Sequence, residues 1–489
     1  MCQIARYRRD KWICKYEILG YTVFRMNSKT EKPLTFKRGI HPNEQKDYTR
    51  HIPINTLLPA IGTEIIIPLL QHIGAPCKPL VEKGQKVLLG EKIGDSDAPV
   101  CAPVHSTVSG VVKDIKPHLT VMGAVVESII IENDGELKEH ESIKQRDSFE
   151  NLSREQIIGI IREAGIVGLG GAGFPTHVKL SPPPNKKIDT IIVNGCECEP
   201  YLTTDNRIMV EESDRVISGL RIILKVLNNG VDITTDAGSA GKDGVVRGFI
   251  AVEDNKPHAI RSLKESCATF HGIEVKVLKT KYPQGAEKQL VNAITKREVP
   301  AGGFPIDVGC IVNNVDTVIA IHRAIFRGRP LMRKVVTLTG GALRAPGNYK
   351  ARIGTKLNDL VDMAGGFKAN CAKIVVGGPM MGTAIFDTDV PIVKTSGGVL
   401  FLTEAEAFIP PEKNCIRCGS CVEHCPTGLI PTELNADILK EDSAAFVSHN
   451  GLECIECGSC SYICPAKRRL SQAIRTIRRV ELAKLRNKK

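Results

Sequence analysis

The sequence predicts a multidomain protein of α/β plus α+β class. It divides into a small β domain, an α/β domain, a compact β-rich module and a cysteine-rich domain. Three observations carry this reading. The 489 residues suffice for about three or four domains at roughly 100–200 residues each. The pattern shifts along the chain from short strands and glycine turns, through alternating helices and strands, to cysteine runs. Hydrophobic residues make up 42%, ordinary for a folded globular chain.

Residues 1–30 form an extension with the only Trp, two Cys and no clear period. Met26 followed by NSKTEKPLTFKRGIHP reads like a more ordinary start, so residues 1–25 are expected to be an appended segment or a start placed too far upstream. No apolar stretch followed by small residues is present there, so no signal peptide is read. No run approaches the ~18–20 apolar residues of a membrane helix, and the chain is expected to be soluble or peripheral.

Residues 31–140 contain EIIIPL, KVLLGEKIG, STVSGVVKDI and VVESIIIEN, short strands cut by glycine turns. They suggest a small β-barrel and resemble the barrel-sandwich domain of lipoyl and biotinyl carriers. Those carriers need a lysine at a hairpin tip. The tip here is Asp95-Ser-Asp97-Ala-Pro99, without lysine, so the barrel is expected to be a docking element.

Residues 150–330 read as α/β. Asn151 or Ser153 caps a helix with Ile157, Ile158, Ile160 and Ile161 on its apolar face. KIDTIIVNG (187–195) is a short β-branched strand, RIMVEESDRVISGLRIILKVLN an amphipathic helix, GVVRGFIAVED a strand and EKQLVNAIT a helix. Residues 331–385 form a compact unit in which a strand leads through a Pro-Gly turn to a helix and Gly365-Gly366. This unit resembles a soluble-ligand-binding β-grasp (SLBB) module, whose usual role is packing between redox domains.

Residues 405–470 hold the strongest signal, CIRCGSCVEHCP (415–426) and CIECGSCSYICP (454–465). Eight of the 17 cysteines fall here, and in a long chain read without a secretion signal metal is a better default than disulfides. Each run is C-x2-C-x2-C-x3-C-P, the pattern of bacterial two-cluster ferredoxins, in which the fourth Cys ligates the other cluster. One [4Fe–4S] cluster is therefore assigned to Cys415, Cys418, Cys421 and Cys464. The second takes Cys454, Cys457, Cys460 and Cys425. A zinc site uses four ligands in two C-x2–4-C pairs, and two matching runs ending in Pro do not fit it. Of the other nine cysteines only Cys196 and Cys198 have a pairing spacing, and most are read as small buried hydrophobes.

The net charge is +12, and it is concentrated: Lys467 to Lys489 holds ten Lys/Arg and one Glu. Residues 471–489 are thus a basic helix or tail, either solvated or docked to an acidic partner or membrane surface. Nucleic acid is not expected, because aromatics are only 4% and no basic–aromatic platform occurs.

Gly168-Leu-Gly170-Gly-Ala-Gly173 fits the G-x-G-x-x-G pattern of dinucleotide-binding turns. An ordinary Rossmann turn needs a strand before it, a helix after it and an acidic residue about 20 residues on. Here the helical REQIIGIIREAG precedes, Ser181-Pro-Pro-Pro184 follows, and Asp189 opens a strand instead of ending one. The context fails, leaving a permissive tight turn or a different cradle.

GLGGAGFPTHVKL resembles the flavin-cradling loop of the NADH-oxidising subunit of respiratory complex I. NGCECEP (194–200), YPQGAEKQL (282–290) and IVNNVDTV (311–318) follow in the order of that subunit's own segments. The likeness is closer still to RnfC, the NADH-binding subunit family of Rnf ferredoxin–NAD oxidoreductases. That family carries TFxGGIHP, the barrel, GGAGFPTHVKL, NGxECEPYLT, YPQGGEKQL, the β-grasp module and two ferredoxin runs. The resemblance covers about residues 34–470. Three departures stand out: Arg38 and Ala286 replace glycines, and Cys196 sits where complex I has Asp.

The resemblance implies that Gly168, Gly170, Gly171 and Gly173 let the backbone lie against non-covalently bound FMN. Lys179 would neutralise flavin or dinucleotide charge, and Phe174 would stack on a ring of NADH. Asn194, Glu197 and Glu199 would contact polar edges, Glu287 would sit near the nicotinamide, and Asn313, Asn314 and Thr317 would hold the FMN phosphate. His177 is read as a polar contact, not a base. NADH yields two electrons at once and clusters accept one, so a flavin is the needed converter. The family further implies a peripheral place on the cytoplasmic face of the cell membrane. Its partners would be the other Rnf membrane subunits and a ferredoxin-type subunit, and those partners would move Na⁺ or H⁺. The alternatives are a soluble cobalamin reductase of the microcompartment type and an electron wire that no longer oxidises NADH. The roughly 110 residues before the flavin loop favour the Rnf type over the cobalamin reductase.

Overall fold

The computed structural model describes residues 32–236, 238, 242 and 244–487, so the extension 1–30 lies outside the described residues. Residues 33–489 form one compact unit.

The barrel consists of two small antiparallel sheets. One holds Glu64–Pro68, Val125–Asn133, Gly110–Leu119 and Lys86–Val87; the other holds Lys78–Pro79, Lys92–Asp95 and Val104–His105. Alternate side chains, Ile65, Ile67, Ile129 and Ile131 among them, close its core. KVLLGEKIG is two short strands and not one. Gly90, at φ +85°, turns the chain between them with the Ile143 side chain packed against it. The Asp95–Ser96 tip docks on the helix Arg154–Glu163. Arg162 bonds Asp95 (3.3 Å) and the Ser96 carbonyl (3.2 Å), while Lys92 bridges Asp95 and Glu163. Of the two candidate caps for that helix, Ser153 is used, in a reciprocal capping box with Gln156.

The α/β domain has a four-stranded parallel sheet in the order Ile273–Leu278, Arg247–Glu253, Thr190–Gly195, Cys310–Asn314. The long amphipathic stretch expected over RIMVEESDRVISGLRIILKVLN breaks into two helices, Thr204–Glu211 and Ser213–Leu227. The break falls at Glu212, whose φ of −131° leaves the helical range. Burial would raise its pKa, but Arg323 at 2.6 Å, Arg215 at 2.7 Å and Lys350 hold it down at about 2. Ser213–Leu227 then packs closely on the helix Val315–Arg327: a Cβ at Gly219 would lie 2.2 Å from the Val318 carbonyl.

A mixed six-stranded sheet follows, in the order Asn55–Thr56, Gly347–Arg352, Arg333–Thr339, Gly398–Leu402, Lys373–Val376, Thr383–Ile385. Its helix Leu357–Met363 lies between the Pro-Gly turn and Gly365-Gly366, as expected. In the cysteine-rich domain the two runs have the same backbone. Gly419 and Gly458 both sit at φ +76°, each opening a short helix, Ser420–Glu423 and Ser459–Ile463. The basic terminal helix Leu470–Asn487 packs back on this domain through Ile474 and through Arg475 and Arg478, which pair with Glu456. It is therefore partly docked to its own chain.

Lys394 joins three domains from the inside. Fully buried, it donates to the carbonyls of Pro103 (2.7 Å) in the barrel and Gly165 (2.8 Å) at the entry to the glycine loop. Its own segment follows the β-grasp strands. Burial, and then Lys394, holds neighbouring His72 at about 4 and His105 at about 3. Both lie below the ordinary histidine value of ~6.5. The unfolded chain therefore takes up more protons below that value, and the stability of the neutral rings is present above pH ~6.5 and lost as the pH falls. His105→Gln should lose less stability than the native chain between pH 7.5 and 5, by about 2 kcal/mol. Thermal unfolding at the two pH values checks this; equal losses would contradict it.

Candidate functional site

Read in chain order, the parallel sheet runs 3-2-1-4, so its direction of growth reverses between Thr190–Gly195 and Cys310–Asn314. Open parallel sheets bind ligands in the crevice at such a switch, outside the carboxyl ends of the strands. Asn194 and Asn314 are register partners there, with Asn313 beside them.

The glycine loop lies over this point. It closes on itself, with Gly168 N–H donating to the Phe174 carbonyl (2.9 Å) and Thr176 N–H to that of Ile166 (3.0 Å). Gly170 and Gly171 are exposed at its tip. Gly173 takes φ +69° above the Gln71 and Thr395 segments. A Cβ on Gly170 would meet Asn314 at 2.8 Å, and none on Gly171 would meet anything. The Leu169 N–H donates to Thr317 Oγ1 (2.9 Å), which is fully buried. Before the loop comes a helix, and after it a single turn, Thr176–Lys179. Asp189 sits at the opposite end of its strand, paired with Arg297 at 2.7 and 2.9 Å. The arrangement is not a Rossmann turn.

Asn314 caps the helix Val315–Arg327 by accepting the Asp316 N–H (2.9 Å) and donates to Asp205 (2.7 Å). The positive end of this 13-residue helix thus opens under the glycine loop, an arrangement suited to an anion. Asn313 is buried with its side-chain NH₂ unpartnered, a donor for which the described residues offer no acceptor. An exposed glycine tip, an unpaired buried donor and a helix N-terminus together fit a phosphate-bearing flat ligand such as FMN.

Lys179 donates to the Val312 carbonyl (2.8 Å) and pairs with Glu287 (3.3 Å), so these two site residues meet at the strand end. Asn194 donates to the Gly285 carbonyl (2.8 Å) and pins YPQGAEKQL beside the strand. Phe174 is half-buried in the loop. His177 lies in the single turn after it, its Nδ1 unpartnered. Gln284, fully buried with both side-chain polar atoms unpartnered, is a second orphan on that segment.

Two carboxylates face inward instead. Glu197 accepts from Thr204 Oγ1 (3.2 Å) and the N–H groups of Asp205 (2.6 Å) and Asn206 (3.3 Å), filling the start of the helix Thr204–Glu211. Its buried cation is Lys46, which donates to the carbonyls of Glu197 and Leu202, both at 2.6 Å. Burial, then Glu197, raises Asp205 to about 7. Glu199 accepts the N–H groups of Met380 (3.1 Å) and Met381 (3.0 Å), and burial pushes it up to about 7. It thereby ties the α/β domain to the β-grasp module.

The departures are accommodated. Arg38 keeps the left-handed φ of a glycine, +64°, and its side chain reaches the Cys425 carbonyl (3.5 Å). Ala286 sits at φ −67° before the helix Glu287–Thr295, a backbone any residue adopts. Cys196 is buried with its thiol pushed up by burial, so it supplies no charge.

Cys425, Cys454, Cys457 and Cys460 line one cavity of about 370 Å³, counting its open mouth, with Ile455 and Ile474. Cys464 and Cys418 flank Cys421 electrostatically, and Cys415 and Cys418 are exposed. Among the described residues no three His, Cys, Asp or Glu side chains converge as a single ion requires. The cavity of the second set suits the larger [4Fe–4S] cube. Tyr282 joins that set to the α/β domain. Its hydroxyl donates to the Cys457 carbonyl (2.7 Å), and Cys198 and Met380 pack beside it.

The residues that sequence reasoning passed over, Lys46, Lys394, Tyr282 and Gln284, act through burial. Only Tyr282 and Gln284 lay inside a recognised motif. Glu197→Ala removes three hydrogen bonds and the carboxylate nearest buried Lys46, at a cost on the order of 3 kcal/mol. A drop in thermal midpoint that Glu197→Gln only halves is the expected result, and an unchanged midpoint would contradict it.

Four family models match the chain in series. They are the RnfC barrel sandwich hybrid domain at 34–136, the Nuo51 FMN-binding domain at 161–234 and 239–323, the SLBB domain at 335–384 and the 4Fe-4S dicluster domain at 409–465. The chain is 47% identical over 450 residues to the C subunit of the proton-translocating ferredoxin:NAD(+) oxidoreductase complex of Clostridium ljungdahlii, covering 91% of this chain and 93% of that one. It is 43% identical over 455 residues to the C subunit of the Na(+)-translocating ferredoxin:NAD(+) oxidoreductase complex of Acetobacterium woodii, covering 92% and 98%. The C subunit of an ion-translocating oxidoreductase complex of Rhodobacter capsulatus is 38% identical over 410 residues, covering 83% and 75%.

Proposed function

We propose, from the premise that this chain belongs to the RnfC family, the C subunits of ion-translocating ferredoxin:NAD⁺ oxidoreductase complexes, that its glycine loop is the flavin seat of such a complex. It is an oxidoreductase subunit with an FMN-binding domain and a two-cluster [4Fe–4S] domain, and NAD(H) is the substrate of the reaction. The observation that carries the seat is the Leu169–Thr317 hydrogen bond, which fixes the glycine tip over a helix N-terminus at the switch point of the sheet. FMN, when bound, supplies the conversion between a two-electron hydride and single electrons.

The chain's own residues bind and orient. Asn313 offers its unpaired NH₂ group, and the Val315–Arg327 N-terminus favours the phosphate. Lys179 places one positive charge at the strand end, and Glu287 holds it there. Gly171 leaves open the space where a flat ring approaches backbone, while Gly170, lacking a Cβ, lets the loop close on Asn314. Phe174, Asn194 and the glycines complete the seat, whereas Glu197 and Glu199 hold its walls from behind.

The cysteine assignment follows the same reading: Cys454, Cys457, Cys460 and Cys425 hold the cluster facing the flavin domain. Cys415, Cys418, Cys421 and Cys464 hold the outer one. Tyr282 ties the α/β domain to Cys457, and Cys415 and Cys418 of the outer set are exposed; clusters held by the two sets would carry single electrons between the flavin seat and a redox partner. Among the described residues no helix is long and apolar enough to cross a membrane. The peripheral site on the cytoplasmic face, and the redox partners, come from the other subunits. A relative named for protons and one named for sodium are 47% and 43% identical over 91% and 92% of this chain, which favours placing ion choice in the other subunits. The cobalamin reductase alternative lacks support from these relatives.

Reconstituted protein given NADH without oxygen should bleach its flavin. Thr317→Val should weaken flavin binding by about tenfold or more, while Thr317→Ser retains it, since only the valine leaves the buried Leu169 N–H unmet. Fluorescence titration of FMN reads the affinity and absorbance reads the bleaching. Flavin that stays oxidised although bound, or equal affinity of all three proteins, would sink the reading.

A further inference from the structure

A second cavity lies on another face of the helix Val315–Arg327, where it meets the paired strands Arg333–Thr339 and Gly347–Arg352. Asp316, Ala320 and Arg323 recur at helical spacing and line it, a different stripe from that of Thr317, which faces the glycine loop. Arg329, Arg333 and Arg352 line it too, so four arginines and one aspartate border one space.

The nearby carboxylates are already committed. Glu212 takes Arg323, Arg215 and Lys350. Glu139 takes Arg329, and Asp316 takes Lys334 at 2.5 Å in the interior. Neither the Arg333 nor the Arg352 side chain has a hydrogen-bond or salt-bridge partner among the described residues, and the two residues stand directly opposite each other on neighbouring antiparallel strands. Like charges at such a pair destabilise a sheet. Burial, reinforced by Arg323, Arg352 and Arg329, brings even Arg333 down to about 10. Glu212 attracts Arg333 and Glu139 attracts Arg352 from a distance, but both carboxylates are shared with closer cations, so positive charge is in excess around the cavity.

We propose that this cavity binds a tetrahedral oxyanion of the phosphate class, held by Arg333 and Arg352 with Arg323 and Arg329 facing it. Guanidinium forks match both carboxylates and phosphates. The geometry favours phosphate, because donors come from two strands, a helix and a loop. A planar carboxylate meets forks only in its own plane, whereas a tetrahedral anion accepts from all these directions. The site is separate from the flavin seat, and it lies where the β-grasp module meets the flavin domain. Occupancy would tie the two domains together.

The test uses the full chain loaded with flavin and clusters. Inorganic phosphate, titrated calorimetrically in chloride buffer of matched ionic strength, should bind saturably. Arg352→Gln should weaken it by about tenfold or more while leaving NADH bleaching of the flavin unchanged. Without phosphate this variant should also melt higher than the native chain, because it loses one of two opposed charges, so misfolding cannot mimic the result. Acetate should not compete. Displacement of phosphate by ADP identifies a nucleotide phosphoryl group as the natural occupant, and failure of ADP to displace it identifies the free ion. Equal phosphate binding by native protein and variant, no binding by either, or equal competition by acetate would overturn the proposal.

Discussion

The hydrogen bond from Leu169 N–H to Thr317 Oγ1 is the contact on which the site depends. It is buried, so neither group can exchange it for water, and losing it leaves a donor unmet at a cost of about 1–3 kcal/mol. It fastens a loop that no strand precedes to the start of a helix that the sheet itself positions. A glycine loop without this tie would be a flexible turn. With it, the loop roofs the point where the parallel sheet reverses its order.

From beneath, three domains hold the same loop. Lys394 gathers carbonyls from the barrel and from Gly165, and Gly173 rests on the Gln71 and Thr395 segments. The barrel matches a barrel sandwich hybrid domain, and its hairpin tip, Asp95-Ser-Asp97-Ala-Pro99, carries no lysine. That tip is turned instead onto the helix Arg154–Glu163, which leads into the loop. On the other side, Glu199 and Tyr282 connect the α/β domain to the β-grasp module and to Cys457. The redox domains are therefore joined by buried polar contacts, whose loss in a rigid interior costs more than that of surface pairs.

Motifs local in sequence were legible in advance. The two cysteine runs have one backbone because they have one spacing and a glycine at the same place. The glycine loop's flanks ruled out a Rossmann turn, as the helix before it and Asp189 at the far strand end now explain. Other features depend on residues distant in sequence. A helix that periodicity made continuous is interrupted at Glu212, whose ion-pair partner Arg323 lies 111 residues away. Lys46 and Glu197 are 151 residues apart along the chain, and neither looks buried from its neighbours. Glu197, placed by resemblance among the polar contacts of the seat, turned out to serve a helix start. The opposed Arg333 and Arg352 were invisible until strand register placed them together.

The central claim is that the glycine loop and the cysteine domain form one electron path, entered at the flavin seat and continued through the set that contains Cys425. A Cys425→Ser protein, with flavin bound and NADH added without oxygen, tests it most directly when absorbance and electron paramagnetic resonance are followed together. The flavin is expected to bleach as in the native protein while the outer cluster stays oxidised on the same timescale. Reduction of that cluster at the native rate would contradict the claim.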